Sequence, residues 1–216
     1  MQRIAVIDYG MGNLRSVAKA LEHVAEGQAE VVVSSDEHAI AGADRVVFPG
    51  QGAIRDCMRE LQSRKLLACV ESAIADKPFL GICLGQQALM EYSDEHAGTR
   101  GFGILAGTVK RFPANARDAK SGSPLKVPHM GWNNVTFARN HPLWRDIHNG
   151  AYFYFVHSYY IAPREDGVAA GHTDYGVTFA SAIARKNLFA VQFHPEKSAR
   201  AGLTLLKNFL AWKGDA

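Results

Sequence analysis

Cysteine is scarce in this chain, with three residues in 216, at positions 57, 69 and 83. The odd count and the lack of any Cys-x-x-Cys argue against a disulfide framework and point to a reducing cytoplasm. Charge of one sign is lacking too. Lys and Arg number 24 against 21 Asp and Glu, and a net charge of +3 is too small to argue for nucleic acid. No apolar run is long enough to span a bilayer. Met1-Gln2-Arg3 leads straight into a strand, so no secretory leader is expected. No internal repeat and no linker is visible, and the expectation is one domain over residues 1–216. The nine histidines and the cysteines match no zinc spacing, so no metal and no cofactor is expected. On that reading His129, His141, His148 and His157 are structural or part of a polar surface.

A dinucleotide reading is weakened by one residue. Residues 4–7 read as a buried strand, Asp8-Tyr9-Gly10-Met11-Gly12-Asn13 as a loop, and Asn13 as the N-cap of a helix. That helix has Leu14, Val17, Ala18, Leu21, Val24 and Ala25 on one face. The third glycine of Gly-x-Gly-x-x-Gly falls on Arg15.

What is present is 47% hydrophobic residues, ample for a full core. Residues 31–33 and 45–48 read as further strands, the second running into Pro49-Gly50-Gln51-Gly52. Helical stretches follow through Met58 and Leu61 and from Leu66 to Ile74, and Pro78 opens another strand. This alternation predicts a doubly wound, mostly parallel central sheet flanked by helices, an α/β fold. The second half reads differently. Strands are expected at 108–112, 134–137, 152–157 (aromatic and buried), 168–172, 179–183 and 188–192, with connections too short for crossover helices, hence an added antiparallel section. Residues 113–128 read as an exposed loop, and Leu203, Leu206 and Leu210 as the apolar face of a closing helix. Two basic clusters, Arg55/Arg59/Arg64/Lys65 and Lys110/Arg111/Arg117/Lys120, read either as solvated faces or as docking surfaces for an acidic partner.

The chemistry is concentrated in Phe79-Leu80-Gly81-Ile82-Cys83-Leu84-Gly85-Gln86-Gln87. An apolar run ends at Cys83 and a helical pattern, expected to run through Leu89 and Met90, begins at once. Glycines at i−2 and i+2 flank the cysteine, as in a strand–nucleophile–helix elbow. A cysteine at a helix N-terminus is favoured as thiolate, and the Leu84 N–H is placed for a developing oxyanion. A lone cysteine at a strand end is more often a core residue. The partner that decides otherwise is Gln192-Phe193-His194-Pro195-Glu196. In extended backbone, which Pro195 favours for His194, residues two apart share a side. Glu196 can then fix the imidazole of His194, which takes a proton from Cys83 and returns it to a leaving amine.

These motifs, with Pro49-Gly50-Gln51-Gly52 as an oxyanion strand, resemble the triad-type glutamine amidotransferases over essentially the whole chain. Asp8-Tyr9-Gly10-Met11-Gly12-Asn13-Leu14, Pro128-His129-Met130-Gly131-Trp132-Asn133 and Tyr154-Phe155-Val156-His157-Ser158-Tyr159 resemble, within that family, the glutaminase subunits of imidazole glycerol phosphate synthase, of histidine biosynthesis. The resemblance implies a heterodimer with a (β/α)8-barrel cyclase subunit that receives ammonia. The implied roles are nucleophile for Cys83, base for His194 and orienter for Glu196. Gln51, Gly52 and Leu84 would form the oxyanion hole. Gly52, Gln87, Glu95, Ser158 and Tyr159 would bind glutamine, Glu95 holding its α-ammonium. Asn13, His129, Trp132, Asn133, Tyr154 and Lys197 would face the partner and the ammonia path. Gln51 departs from the apolar residue the family often carries there.

Overall fold

In a computed structural model that describes residues 1–118 and 121–215, the chain runs β1 (Gln2–Ile7), α1 (Leu14–Ala25), β2 (Ala29–Ser34), α2 (Glu37–Ala41), β3 (Arg45–Gly50), α3 (Ile54–Ser63), α4 (Leu67–Asp76), β4 (Phe79–Cys83) and α5 (Leu84–Gln87). It continues with β5 (Met90–Ser93), β6 (Thr99–Arg100), β7 (Leu105–Arg111), β8 (His129–Asn134), β9 (Thr136–Phe137), β10 (Tyr152–His157), β11 (Tyr159–Pro163), β12 (Ala169–Asp174), β13 (Thr178–Arg185), β14 (Leu188–Val191) and α6 (Ala199–Ala211). The large sheet has the order β2-β1-β3-β4-β14-β13-β12-β9. Its first five strands are parallel and the last three antiparallel. This is the expected doubly wound sheet with an antiparallel section.

Alternation along the central strands divides the core. Ile4, Val6, Val47, Leu80, Ile82, Phe189 and Val191 face one side, where Val17 and Leu21 of α1 and Leu205, Leu206 and Phe209 of α6 cover them. Ala5, Ile7, Val46, Phe48, Phe79 and Ala190 face the other, against Ile54, Cys57 and Leu61 of α3 and Val70 and Ile74 of α4. Such strands are apolar throughout because both faces are covered. A two-stranded sheet, β10-β8, packs on the first side through Phe153 and Phe155. A four-stranded sheet, β11-β7-β5-β6, packs on the second through Ile161, Val109, Leu105 and Met90. No helix among the described residues is long and apolar enough to cross a membrane.

Several local expectations are corrected. The helix after Cys83 is a single turn ending at Gln87. The carbonyls of Ala88 and Leu89 accept from Phe102 and Leu105, at 2.7 and 3.0 Å, and Met90 enters β5 instead of continuing a helix. Asn13 precedes α1 but its side chain caps nothing. The stretch 134–137 is no continuous strand: the Val135 N–H turns to Ala151, at 2.9 Å, so that β8 pairs with β10 while β9 pairs with β12. β10 is buried on alternate residues only, with Tyr152 61% exposed. In the first basic cluster Arg59 pairs with Asp56 at 2.8 Å and Arg64 lies 3.7 Å from Glu60, as on a solvated face. Lys120 of the second cluster lies outside the described residues.

Candidate active site

Parallel pairing sets β3 beside β4 with Gly50 opposite Cys83. Cys83 ends its strand at φ 55° and ψ −108°, a conformation that few side chains adopt and that marks a strained strand-to-helix turn. The flanking glycines are required by close approach. A Cβ on Gly85 would run into the Phe48 carbonyl, and one on Gly81 would lie 2.9 Å from the Gly85 carbonyl and 3.0 Å from Ala190 Cβ. Gly50 is confined in the same way, since its Cβ would sit 2.5 Å from the Tyr9 hydroxyl and 2.9 Å from Leu84 Cβ. The loop before α1 lies along this strand end. Positions for Cβ atoms on Gly12 and Gly52 fall 3.6 Å from Gly50 Cα and 3.0 Å from Met11 Cε.

The elbow opens on a cavity of about 340 Å³ lined by Gln51, Gly52, Cys83, Leu84, Gln87, Glu95, Pro128, Val156, His157, Ser158, Tyr159, His194 and Lys197. Ten residues singled out in the sequence therefore meet in one cleft. Leu84, first in its helix, has an amide with no carbonyl one turn earlier in that helix. One Glu95 carboxylate oxygen accepts the N–H of Ile54, at 3.0 Å, at the start of α3.

His194 follows β14 and Phe193. Its Nδ1 is 2.9 Å from Glu196 Oε1, and the Glu196 side chain is only 1% exposed. The other ring nitrogen, Nε2, makes no hydrogen bond to a described group, and the Cys83 sulfur acts on this imidazole. Burial pulls His194 down, but Cys83 and Glu196 beside it outweigh burial and hold it up at about 10. That shift favours the imidazolium at neutral pH, a form able to donate a proton as a general acid. The two other cysteines differ. Burial pushes the Cys57 thiol up to about 12, and Cys69 is half-buried where α4 packs against α2, its sulfur 3.9 Å from the Glu37 carbonyl.

The remaining residues divide by strand register. His129 and Asn133 share the inner face of β8, while Met130 and Trp132 point outward, 62% and 53% exposed. His129 is buried, stacked on Tyr175 at 3.9 Å and Phe155 at 4.8 Å. On β10, Tyr154 stands opposite Trp132, with ring centres 6.1 Å apart, and Lys197 Nζ lies 5.8 Å from the Tyr154 ring centre. Asn13 is half-buried at the start of α1 and does not line the cavity.

A buried hydrogen-bond chain that the sequence does not announce runs behind the cleft. His157 Nδ1 lies 2.7 Å from the Tyr159 carbonyl, which can only accept, so this nitrogen carries the proton. Neutral His157 then accepts at Nε2 from His129 Nδ1, at 3.0 Å, and His129 accepts at Nε2 from Asn133 Nδ2, at 3.3 Å. Burial keeps both rings neutral, pulling His129 down to about 4 and His157 to about 3. The Tyr159 carbonyl also accepts from Gln87 Nε2 at 2.9 Å. Gln192 and Ser198 belong to this supporting layer as well. The signal available for them is adjacency to the His-Pro-Glu motif.

A protein-family model described as glutamine amidotransferase class-I matches residues 5–212. The chain is 58% identical over 212 residues to the imidazole glycerol phosphate synthase subunit HisH of Aromatoleum aromaticum, covering 98% of this chain and 99% of that protein. It is likewise 58% identical to the HisH subunit of Dechloromonas aromatica, covering 98% and 97%. Among solved structures, a putative GMP synthase subunit from Thermoplasma acidophilum superposes with a TM-score of 0.68 at 22% identity, covering 98% and 93%. The structure of PurLQS from Thermotoga maritima gives 0.66 at 16%, covering 97% and 98%. The chain belongs to the class-I glutamine amidotransferases and, within them, to the HisH subunits of imidazole glycerol phosphate synthase.

Proposed function

We propose that this chain hydrolyses the side-chain amide of glutamine through a Cys83 thioester and hands the ammonia to a barrel-shaped cyclase subunit in histidine biosynthesis. The reading rests on one observation: Cys83, Leu84, Gln51, Gly52, Glu95 and His194 line a single cavity. Cys83 Sγ attacks the amide carbon. The oxyanion gathers backbone N–H groups from Leu84 and the Gln51–Gly52 segment. His194 protonates the departing nitrogen, the C–N bond breaks and ammonia leaves. Water then attacks the thioester with His194 taking its proton, the C–S bond breaks, and glutamate is released with the sulfur restored. Glu95 is the partner for the substrate ammonium.

The cyclase docks over the outward face of β8 and β10. Met130, Trp132 and Tyr152 expose apolar surface there, beside Pro128, Val156 and Lys197 at the cavity. Such patches mark interaction sites. Asn13 lies at the margin of this interface, and the three free cysteines suit a cytoplasmic enzyme. The isolated chain is a poor glutaminase, and the partner with its ligand turns the peptide after Gly50 to complete the oxyanion hole. Loss of one such donor costs about a hundredfold or more in rate.

The test is Cys83→Ala in the complex. Glutamine-driven synthesis is expected to vanish while synthesis from free ammonia continues. Glutamine-driven turnover within about tenfold of wild type would overturn the nucleophile assignment. Glutamate release by the chain alone, compared with the chain plus partner and ligand, tests the coupling, and equal rates would refute it.

A further inference from the structure

Gln192 follows β14 directly and is fully buried, with its backbone N–H on the Ser181 carbonyl at 2.9 Å. Its side-chain oxygen accepts from Gln87 Nε2 at 2.9 Å, and its side-chain nitrogen lies 3.5 Å from Cys83 Sγ. Which end of each amide points where is dictated step by step. The Tyr159 carbonyl can only accept, so it takes the Gln87 nitrogen, at 2.9 Å. That same nitrogen can only donate, so it takes the Gln192 oxygen. The Gln192 NH2 group is thereby left facing the sulfur, which is its hydrogen-bond partner among the described residues.

We propose that Gln192 is a catalytic residue of the thioester reaction, donating an N–H to Cys83 Sγ, and that Gln87 is the positioning residue that aims it. The assignment rests on the glutaminase reading above. A donor on the sulfur favours its anionic form before attack and again when the C–S bond breaks and the sulfur leaves with the electron pair. The Tyr159 carbonyl that holds Gln87 also anchors His157, which leads through His129 to Asn133 on β8.

The experiment follows alkylation of Cys83 by iodoacetamide against pH in the full chain, with the Cys83 peptide resolved by mass spectrometry from those of Cys57 and Cys69. Gln192→Met keeps an unbranched side chain without the donor. It is expected to alkylate about tenfold more slowly than wild type at pH 7, a charge-assisted hydrogen bond being lost. The two rates should converge at high pH, where the sulfur is ionised in both. Gln87→Met, which leaves Gln192 present but unaimed, is expected to shift in the same direction by less. A Gln192→Met profile that superimposes on wild type overturns the proposal. If that variant does not fold, an unchanged Gln87→Met profile does so. Alkylation requires no glutamine, so a wild-type chain that alkylates normally but releases no glutamate with its partner would sink the glutaminase reading instead.

Discussion

His194 is held to Tyr154 at the backbone: the His194 N–H donates to the Tyr154 carbonyl at 2.9 Å. Ser198 closes the connection from the other side. Its Oγ accepts the Tyr154 N–H at 2.9 Å and donates to the His194 carbonyl at 2.6 Å. His194 is thus fastened to the strand whose outer face carries exposed aromatic side chains.

Removing that fastening should be felt in both stability and rate. Ser198→Ala strands a Tyr154 N–H in a buried site, at a cost of about 1–3 kcal/mol, or several degrees of melting temperature in a domain of this size. Glutamate release by the complex should drop by roughly tenfold to a hundredfold as His194 loses its aim. Thermal melts and steady-state kinetics check the pair. A lowered melting temperature with full activity would mean that Ser198 serves the fold alone.

Glu196 and His194 should differ in degree. Glu196→Gln keeps the hydrogen-bond geometry at His194 Nδ1 and removes the charge, whereas His194→Ala removes the proton carrier. Losing the third member of a triad costs on the order of 10⁴ in turnover, and His194→Ala is expected to cost more. Single-turnover acylation of Cys83 measures this directly, and the reverse ranking would take the proton-transfer role away from His194.

Alkaline pH should weaken the fold through His194. Its folded value of about 10 lies above the ordinary imidazole value of 6.5. The stabilisation is therefore full below about pH 6.5 and is lost as pH rises towards 10. Cys83→Ala removes one of the two partners that hold His194 up, so urea-unfolding free energy should fall less steeply over that window. Equal slopes in the two proteins would show that the Cys83–His194 interaction is absent in solution.

Acid should act with the opposite sign through the buried neutral histidines. His129 and His141 sit at about 4 and His157 at about 3, each because burial disfavours its charged form. Their contribution is present above about pH 6.5 and is lost as pH falls, because the unfolded chain then binds protons the folded chain refuses. Unfolding free energy measured from pH 7.5 to pH 4.5 should decline, and His157→Gln should flatten the decline by about one proton. A His157→Gln slope equal to wild type would argue against a neutral His157.

The elbow is legible because its determinants are local: an apolar run, two glycines and a cysteine within seven residues. The parallel half is legible for the same reason, each strand being built around a short apolar run. What escapes is set by partners distant in sequence. Met90 reads as helical because it follows helix-compatible residues, yet Ala88 and Leu89 give their carbonyls to Phe102 and Leu105. His129 and His157 are separated by 28 residues and meet only through the β8–β10 register. Gln192 and Ser198 flank the His-Pro-Glu motif, but nothing in their neighbours announces that one reaches Cys83 and the other Tyr154.

The pairing of Gly50 with Cys83 across β3 and β4 carries a mechanical consequence. The two residues occupy the same rung of a parallel ladder inside a core covered on both faces. Sliding one strand past the other would break every rung together, so the separation between Cys83 and the end of β3 is locked. What is left free is rotation of the peptide that follows the last rung. On the regulation proposed above, control exercised there is control of orientation with distance held constant: a latch with a single degree of freedom, either turned towards the sulfur or turned away.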